Sequence, residues 1–595
     1  MIKKGFFLLF YVLFSFASSG QNLFLADRYL KEGETEKALR IYLDWYDKFR
    51  RYSPQVYDNV LDIYIRQGRY DQALEWVERV SRKSGSGIFE VDKYHLFTLK
   101  KESDKARRQK EKLKQTVTVR PAMTSAIVYR LKKYNYLDDA VALLKLALQT
   151  KATANLYLLL GTTYAELGQT EQMMEAYLQS VATNDVYFHY LTSFLAKFID
   201  DNPSNKYNRI LKRKLAEKIA RRPLPVWLKL MQWIYVRERN YNKAFVQLRG
   251  LYLQNQARPR EFVQLAESAY NARQYEEAEA ILQFTEQIPE LTENDRAEIR
   301  LLFTKIENQT RNNNDTLIRE WKRRARITSH AKIRAEIYEM IIDKLVFDNK
   351  NYESARKLTD SLIQTERNPK IRSRWREKKA DILLLTRRFD AAAIEYTLLR
   401  EDFPYDEINY NALYKIALAS FFSGDFDWAH TTLKNLKKAA DKKVANDALW
   451  LDFVIIANRE AQDTIHEGLK EFASAYFDYY AKNYSLALEK IKNAQPRFKG
   501  QKIHDDFLYL KAKILWKSGK ITETSSIWEE ILSHTHDNIY REEALYRLGI
   551  IYARYLDNPD KASEYLKKLL TEHPQSFWFE PAQKLFREIK ENQGV

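Results

Sequence analysis

The chain has 595 residues, 45% of them hydrophobic and 30% charged, with a formal net charge of +18. That length exceeds the roughly 250–300 residues one hydrophobic core serves, so the chain is either several domains or an array growing along one axis. Gly (15) and Pro (13) fall far below their usual shares of about 7% and 5%, which excludes turn-rich β architectures and leaves a helical protein; the absence of Cys excludes disulfides, thiolate metal sites and a cysteine nucleophile.

Residues 1–20 open with Lys3 and Lys4, continue as an apolar run from Gly5 to Phe16, and end with Ser18 and Gly20 at −3 and −1 to a cleavage point before Gln21. This is the pattern of a secretory signal peptide, too short to span a bilayer. No Cys follows the run, so a lipid anchor is not expected. No later stretch reaches the roughly 18 apolar residues of a spanning helix.

From there a unit recurs. Its first copy has Leu25, Ala26, Tyr29, Gly33, Ala38 and Tyr42, and its second has Tyr64, Gly68, Tyr70, Ala73 and Val77. Leu160, Gly161, Tyr164, Gly168 and Tyr177 repeat the order, with Met173 in the small-residue slot. Further copies are marked by Tyr241/Ala244, Tyr275/Ala278, Tyr352/Ala355, Phe389/Ala392, Phe426/Ala429 and Tyr484/Ala487. The clearest closes the chain, with Leu548, Gly549, Tyr552, Ala562 and Leu566 before Pro574. Ala38 to Ala73 is 35 residues, Ala244 to Ala278 is 34, and Ala355, Ala392 and Ala429 are 37 apart. The double-length gaps from Ala73 to Ala140 and from Met173 to Ala244 are expected to hold weaker copies. Each unit predicts two amphipathic helices whose small residues face one another and let the axes approach.

These residues resemble the tetratricopeptide repeat, a helix–turn–helix unit of about 34 residues. The resemblance implies an all-α, right-handed α-solenoid, non-enzymatic, whose first helices line a groove that holds partner proteins. Residues 540–589 are similar to repeats of Gram-negative envelope proteins, among them the lipoprotein of the outer-membrane β-barrel assembly machinery and a periplasmic coordinator of cell-wall synthesis. Together with the leader, this places the expected protein in the periplasm, associated with the outer membrane only through partners.

The pattern lapses at Thr310–Ile327, where Asn312–Asp315 interrupts the helical period, and at Lys437–Glu471, where the 58 residues from Ala429 to Ala487 fit neither one unit nor two. The expected organisation is an N-terminal array over 21–310, an irregular basic junction over 311–330 and a C-terminal array over 331–595. Ser84–Ile88 reads as a flexible loop.

No catalytic motif is present, and no cofactor or metal site is expected. Ser84–Ile88 contains a lone Gly-x-Gly without the third Gly of a dinucleotide loop or the Lys of a P-loop. His534 and His536, beside Asp537, read as a solvated loop. Paired acids such as Glu529 and Glu530 sit among helix-surface charges.

Three basic stretches offer an anionic-surface reading: Arg107 and Arg108; Lys212, Arg213, Lys214, Arg221 and Arg222; and Lys322, Arg323 and Arg324. For an exported chain, anionic headgroups, lipopolysaccharide phosphates or an acidic partner fit them better than nucleic acid. By the repeat resemblance, groove-facing candidates are Asp62, Arg66, Thr162, Glu166, Phe421, Phe422, Ile550 and Arg554. Tyr476, Tyr479 and Tyr480 share one helix face, and are either an exposed hot spot or packing between repeats. The expected function is an exported scaffold for envelope protein partners, without a small-molecule substrate. The alternative is a carrier or enzyme module binding anionic glycan or lipid.

Overall fold

The computed structural model describes residues 23–82, 87–312, 314–404, 407–436, 444–459, 466–534 and 539–593. The expected signal peptide, most of Ser84–Ile88, His536 and Asp537 lie outside the described residues. Helices and short connections make up everything described, with no strand among the described residues. The chain folds as two compact units, Met1–Leu291 and Thr292–Val595. Within each unit consecutive helices pair into antiparallel hairpins that stack on their neighbours, an α-solenoid.

The alanines that set the repeat spacing are buried where expected: Ala38, Ala73, Ala244, Ala278, Ala355, Ala392, Ala429, Ala487 and Ala562 are all fully inaccessible. Two first-helix glycines, however, face a larger residue than the sequence suggested. The helix Arg541–Arg554 approaches Pro559–Glu572 with Gly549 against Leu566, and Gly161 on Ala154–Glu166 lies against the ring of Tyr177. Small therefore faces large, and the missing Cβ is the space the larger chain fills.

Both double-length gaps hold two further helices, which pair as a hairpin in the first. In the first, Ala106 occupies the small-residue slot of the helix Ser103–Val119. In the second the slot belongs to Asn208, fully buried, whose amide donates to Asp200 O, Asn202 O and Glu238 Oε1 at 3.0–3.2 Å. The amide nitrogen is thus satisfied, while Oδ1 is buried without a partner.

The two lapses also have structural causes. Residues 311–330 are not irregular throughout: Asn314–Ile327 is a helix that buries Leu317, Ile318, Trp321 and Ala325. Trp321 Nε1 donates to Glu307 Oε2 at 2.9 Å, and Arg324 spans both Glu307 oxygens at 2.6 and 3.0 Å. The division between units falls earlier, at Leu291/Thr292. In the second lapse a lone helix, Ala445–Ala457, stands between two hairpins, packing on Phe426–Leu436 and Ile503–Lys517.

Candidate functional site: a ring-lined face on the second unit

In the second unit, the inter-helix turns of hairpins more than a hundred residues apart come together. Lys350 Nζ donates to Ala481 O at 3.4 Å, the Lys482 ammonium lies 3.8 Å from the Phe347 ring centroid, and the Arg387 guanidinium lies 4.2 Å from that of Phe477. Phe389, Phe422, Phe477 and Tyr480 fill the space between them, with centroids 5.3–6.4 Å apart. The chain's own rings thus fill the space between these turns. Two sequence candidates are corrected on this ground. Phe421 is fully buried, packed on Phe426, Phe472 and Tyr476, and Phe422 is a half-buried part of the junction. Neither is a free groove anchor.

Tyr476, Tyr479 and Tyr480 sit on the helix Glu467–Tyr480 and divide between the two readings given to them. Tyr476 is 8% exposed and packs on Phe422 and Trp450; Tyr480 belongs to the junction; Tyr479 is half-buried at its margin. From Tyr479 a ladder of rings runs across neighbouring helices. Tyr476 stacks on Tyr479 with centroids 6.0 Å apart, Trp450 meets Tyr476 at 5.3 Å and Tyr509 at 5.8 Å, and Tyr509 stacks on Tyr540 at 4.2 Å. The lone helix contributes Trp450, whose Nε1 donates to Tyr540 Oη at 3.0 Å.

Lys513 lies across this ladder. Its ammonium is 5.0 Å from the Tyr509 centroid, 5.3 Å from that of Trp450 and 5.9 Å from that of Tyr479, within the range of cation–π attraction. Burial pushes its pKa below the usual lysine value, partly opposed by Glu543 and Asp447. A cation held by ring faces keeps its hydrogen-bonding capacity for an incoming acceptor. Next along the face, Tyr509 Oη donates to Glu543 at 3.1 Å, Arg547 pairs with Glu543 at 2.9 Å and lies over Trp578, and Tyr546 stacks on Trp578 at 4.8 Å. Sequence reasoning did not single out Trp450, Tyr509 or Lys513. Their partners come from segments tens of residues away, and a lysine among helix-surface charges gives no sign of three rings beneath it.

The remaining candidates are scattered. Asp62 pairs with Lys133 at 3.1 Å and Glu166 with Lys132 at 2.7 Å. Arg66 is exposed, and Thr162 Oγ1 donates back to Leu159 O at 3.0 Å. Ile550 is half-buried, and Arg554 pairs with Glu588 at 3.3 Å. Arg107, Arg108, Arg221 and Arg222 are exposed, with Arg107 paired to Asp104. Lys212 binds Glu238 at 2.6 Å, Arg213 and Lys214 share Glu171, Arg323 binds Glu320, and Arg324 is spent on Glu307; Lys322 is half-buried. Much of the basic sequence is therefore matched by the protein's own acids. Arg326 and Arg334, which follow the third basic stretch, join Arg367 around a surface hollow of about 460 Å³, where they meet Tyr338, Trp375 and Glu366.

Two segments match tetratricopeptide-repeat family models, residues 154–185 and residues 543–576. These are the hairpins in which Gly161 meets Tyr177 and Gly549 meets Leu566. No curated protein matches the chain. Among solved structures, one described as Naa15/Naa10 bound to HypK-THB is similar at 12% identity with a TM-score of 0.26, covering 96% of both chains. Another, the APC/C hetero-tetramer Cut9–Hcn1, is similar at 11% identity with a TM-score of 0.21 over 96% of both chains. Neither likeness is close enough to carry an argument. The class is defined by the fold itself and the two matched segments: an all-α array of stacked hairpins containing tetratricopeptide repeats.

Proposed function

We propose that the chain is an exported, non-catalytic scaffold of the cell envelope that holds a partner protein against the ring-lined face of its second unit. The observation that carries the reading is Lys513 laid over Tyr509, Trp450 and Tyr479. Aromatic side chains supply contact area at small entropic cost, and a pre-positioned ammonium gives a partner carboxylate a fixed hydrogen-bond donor. Export rests on the residue pattern of positions 1–20 and the envelope on the character of the C-terminal repeats. A second reading, a carrier of anionic glycan or lipid, is favoured by the hollow that Arg326, Arg334 and Arg367 line.

The test is affinity capture from envelope fractions with the wild-type chain, Tyr479→Ala, Lys513→Ala and Arg334→Ala. The scaffold reading expects a mature chain beginning at Gln21 and a partner protein whose retention falls at least about tenfold in the first two variants and stays unchanged in the third. Retention that depends on Arg334 and not on Tyr479 or Lys513 supports the carrier reading and contradicts the scaffold.

A further inference from the structure

The helices Ile503–Lys517 and Ile521–Ser533 form one hairpin joined through Gly519. At its open end, away from that turn, three side chains converge. His504 is the second residue of the first helix, Glu530 lies in the last turn of the second, and His534 follows that helix directly. One ligand atom from each lies within 4.8 Å of the other two, and the two imidazole centroids are 5.7 Å apart. A fourth residue orients the set: Asp505 Oδ1 is 2.6 Å from His534 Nδ1. A carboxylate at that nitrogen fixes the proton there and leaves the Nε2 lone pair for a ligand role, the arrangement that metal-binding histidines share.

We propose that His504, Glu530 and His534 bind a divalent first-row transition cation, zinc foremost, with water completing the coordination. Two imidazoles and a carboxylate supply the borderline nitrogen and oxygen donors zinc takes, and three protein ligands leave one position open. Bonds of about 2.0–2.1 Å to a tetrahedral zinc put neighbouring donors about 3.4 Å apart, so the triad closes slightly on binding. Glu530 is exposed and reaches inward by rotating its own side chain. His504 and His534 stand on opposite arms of the hairpin, so the cation joins the arms where no turn connects them. The sequence alone showed only His534 beside His536 and gave no reason to connect either with a histidine thirty residues earlier.

The experiment uses the full mature chain without an affinity tag, stripped by chelator, at pH 7.5. Zn²⁺ is titrated calorimetrically and Co²⁺ by its visible ligand-field absorption. The expected result is a saturable equivalent weakened at least about tenfold by His504→Ala and by His534→Ala, and about tenfold by Asp505→Asn, with the Co²⁺ spectrum altered in each. His189→Ala, in the first unit, should leave the affinity unchanged. Helical circular dichroism in chelator checks that each variant folds, and His504→Gln or His534→Gln replaces the corresponding alanine variant if it does not. No saturable binding overturns the proposal. So does binding that survives both histidine substitutions, or that is lost with His534→Ala and kept with His504→Ala, since the cation would then sit outside this triad.

Discussion

A Cβ added to Gly549 would stand 2.5 Å from Leu566 Cδ2 and 2.7 Å from its Cγ, with Leu566 itself fully buried. The contact belongs to the best-preserved repeat and has no slack, so Gly549→Ala is expected to destabilise the second unit by about 1–3 kcal/mol, read as an earlier urea transition. Unchanged stability would mean that the two helices separate at no cost. His95 makes a different single-residue case. Its ring stacks on Tyr134 at 3.8 Å, and its Nδ1 is 3.0 Å from Tyr136 Oη. Burial first, then the Arg130 and Lys133 charges, push its pKa down to about 4, with Asp62 opposing. The folded state thus holds His95 neutral while the unfolded chain takes up a proton below about pH 6.5. Stability from this residue is complete above that pH and is lost as pH falls toward 4. His95→Phe keeps the stacking and should flatten the difference in unfolding free energy between pH 7 and pH 4.5 relative to wild type. An unaltered pH slope would contradict the assignment. Both residues show what single positions disclose: Gly549 was legible because packing repeats, whereas the surroundings of His95 depend on contacts that local sequence does not encode.

At the scale of the element, the turn within each hairpin explains why some repeats were plain and others faint. The residue two positions before the second helix takes a left-handed conformation in copy after copy. It is Gly33, Gly68, Gly168, Gly424 and Gly519 in some, and Lys101, Asn135, Arg239, Arg273, Lys350, Arg387 and Lys482 in others. The backbone closes in the same way over both kinds: Gln169 N donates to Tyr164 O at 2.9 Å, and Gln274 N to Ala269 O at 2.9 Å. The geometry is constant while the residue that usually announces it is not, so copies without the glycine are legible only from the aromatic and alanine that follow, as at Tyr241/Ala244 and Tyr275/Ala278, and the copy after Lys101 only as an expected weak one. A side chain at positive φ carries a cost of about 1 kcal/mol. Arg273→Gly is therefore expected to stabilise the first unit by about 0.5–1 kcal/mol, and Gly168→Ala, which meets no neighbouring atom, to cost a similar amount. Opposite shifts in thermal melting confirm the shared turn, and shifts of the same sign contradict it. The lone helix Ala445–Ala457 was not legible at all. It buries Leu451, Val454 and Ile455 in the unit and exposes Leu449, Phe453 and Ile456, so apolar residues surround it without the one-sided period that marks an amphipathic helix.

For the whole molecule, composition and repeat spacing together made the fold class readable, because a stacked array must place small residues at fixed intervals to bring its helices together. The candidate site was readable only in part. The cluster around Tyr476 was visible as an unusual run of rings. Its division into a closed junction at Phe422 and Tyr480 and a ladder whose half-buried rings Tyr479 and Trp450 lie over buried Tyr509 follows from how distant hairpins of the second unit meet. The basic stretches misled for a related reason, since acids such as Glu171, Glu238 and Glu307 neutralise them from other helices. The central claim is that the ring-lined face, rather than the charged helix surfaces, holds the partner. Photocrosslinking in living cells tests it most directly, with a photoreactive amino acid at Tyr479 or Trp450 in the second unit and at exposed Val246 in the first unit as control. The account expects one discrete protein adduct from Tyr479 and Trp450, abolished by Lys513→Ala, and none from Val246. Adducts of equal yield at all three positions, or none at Tyr479 and Trp450 in a folded chain, would contradict it.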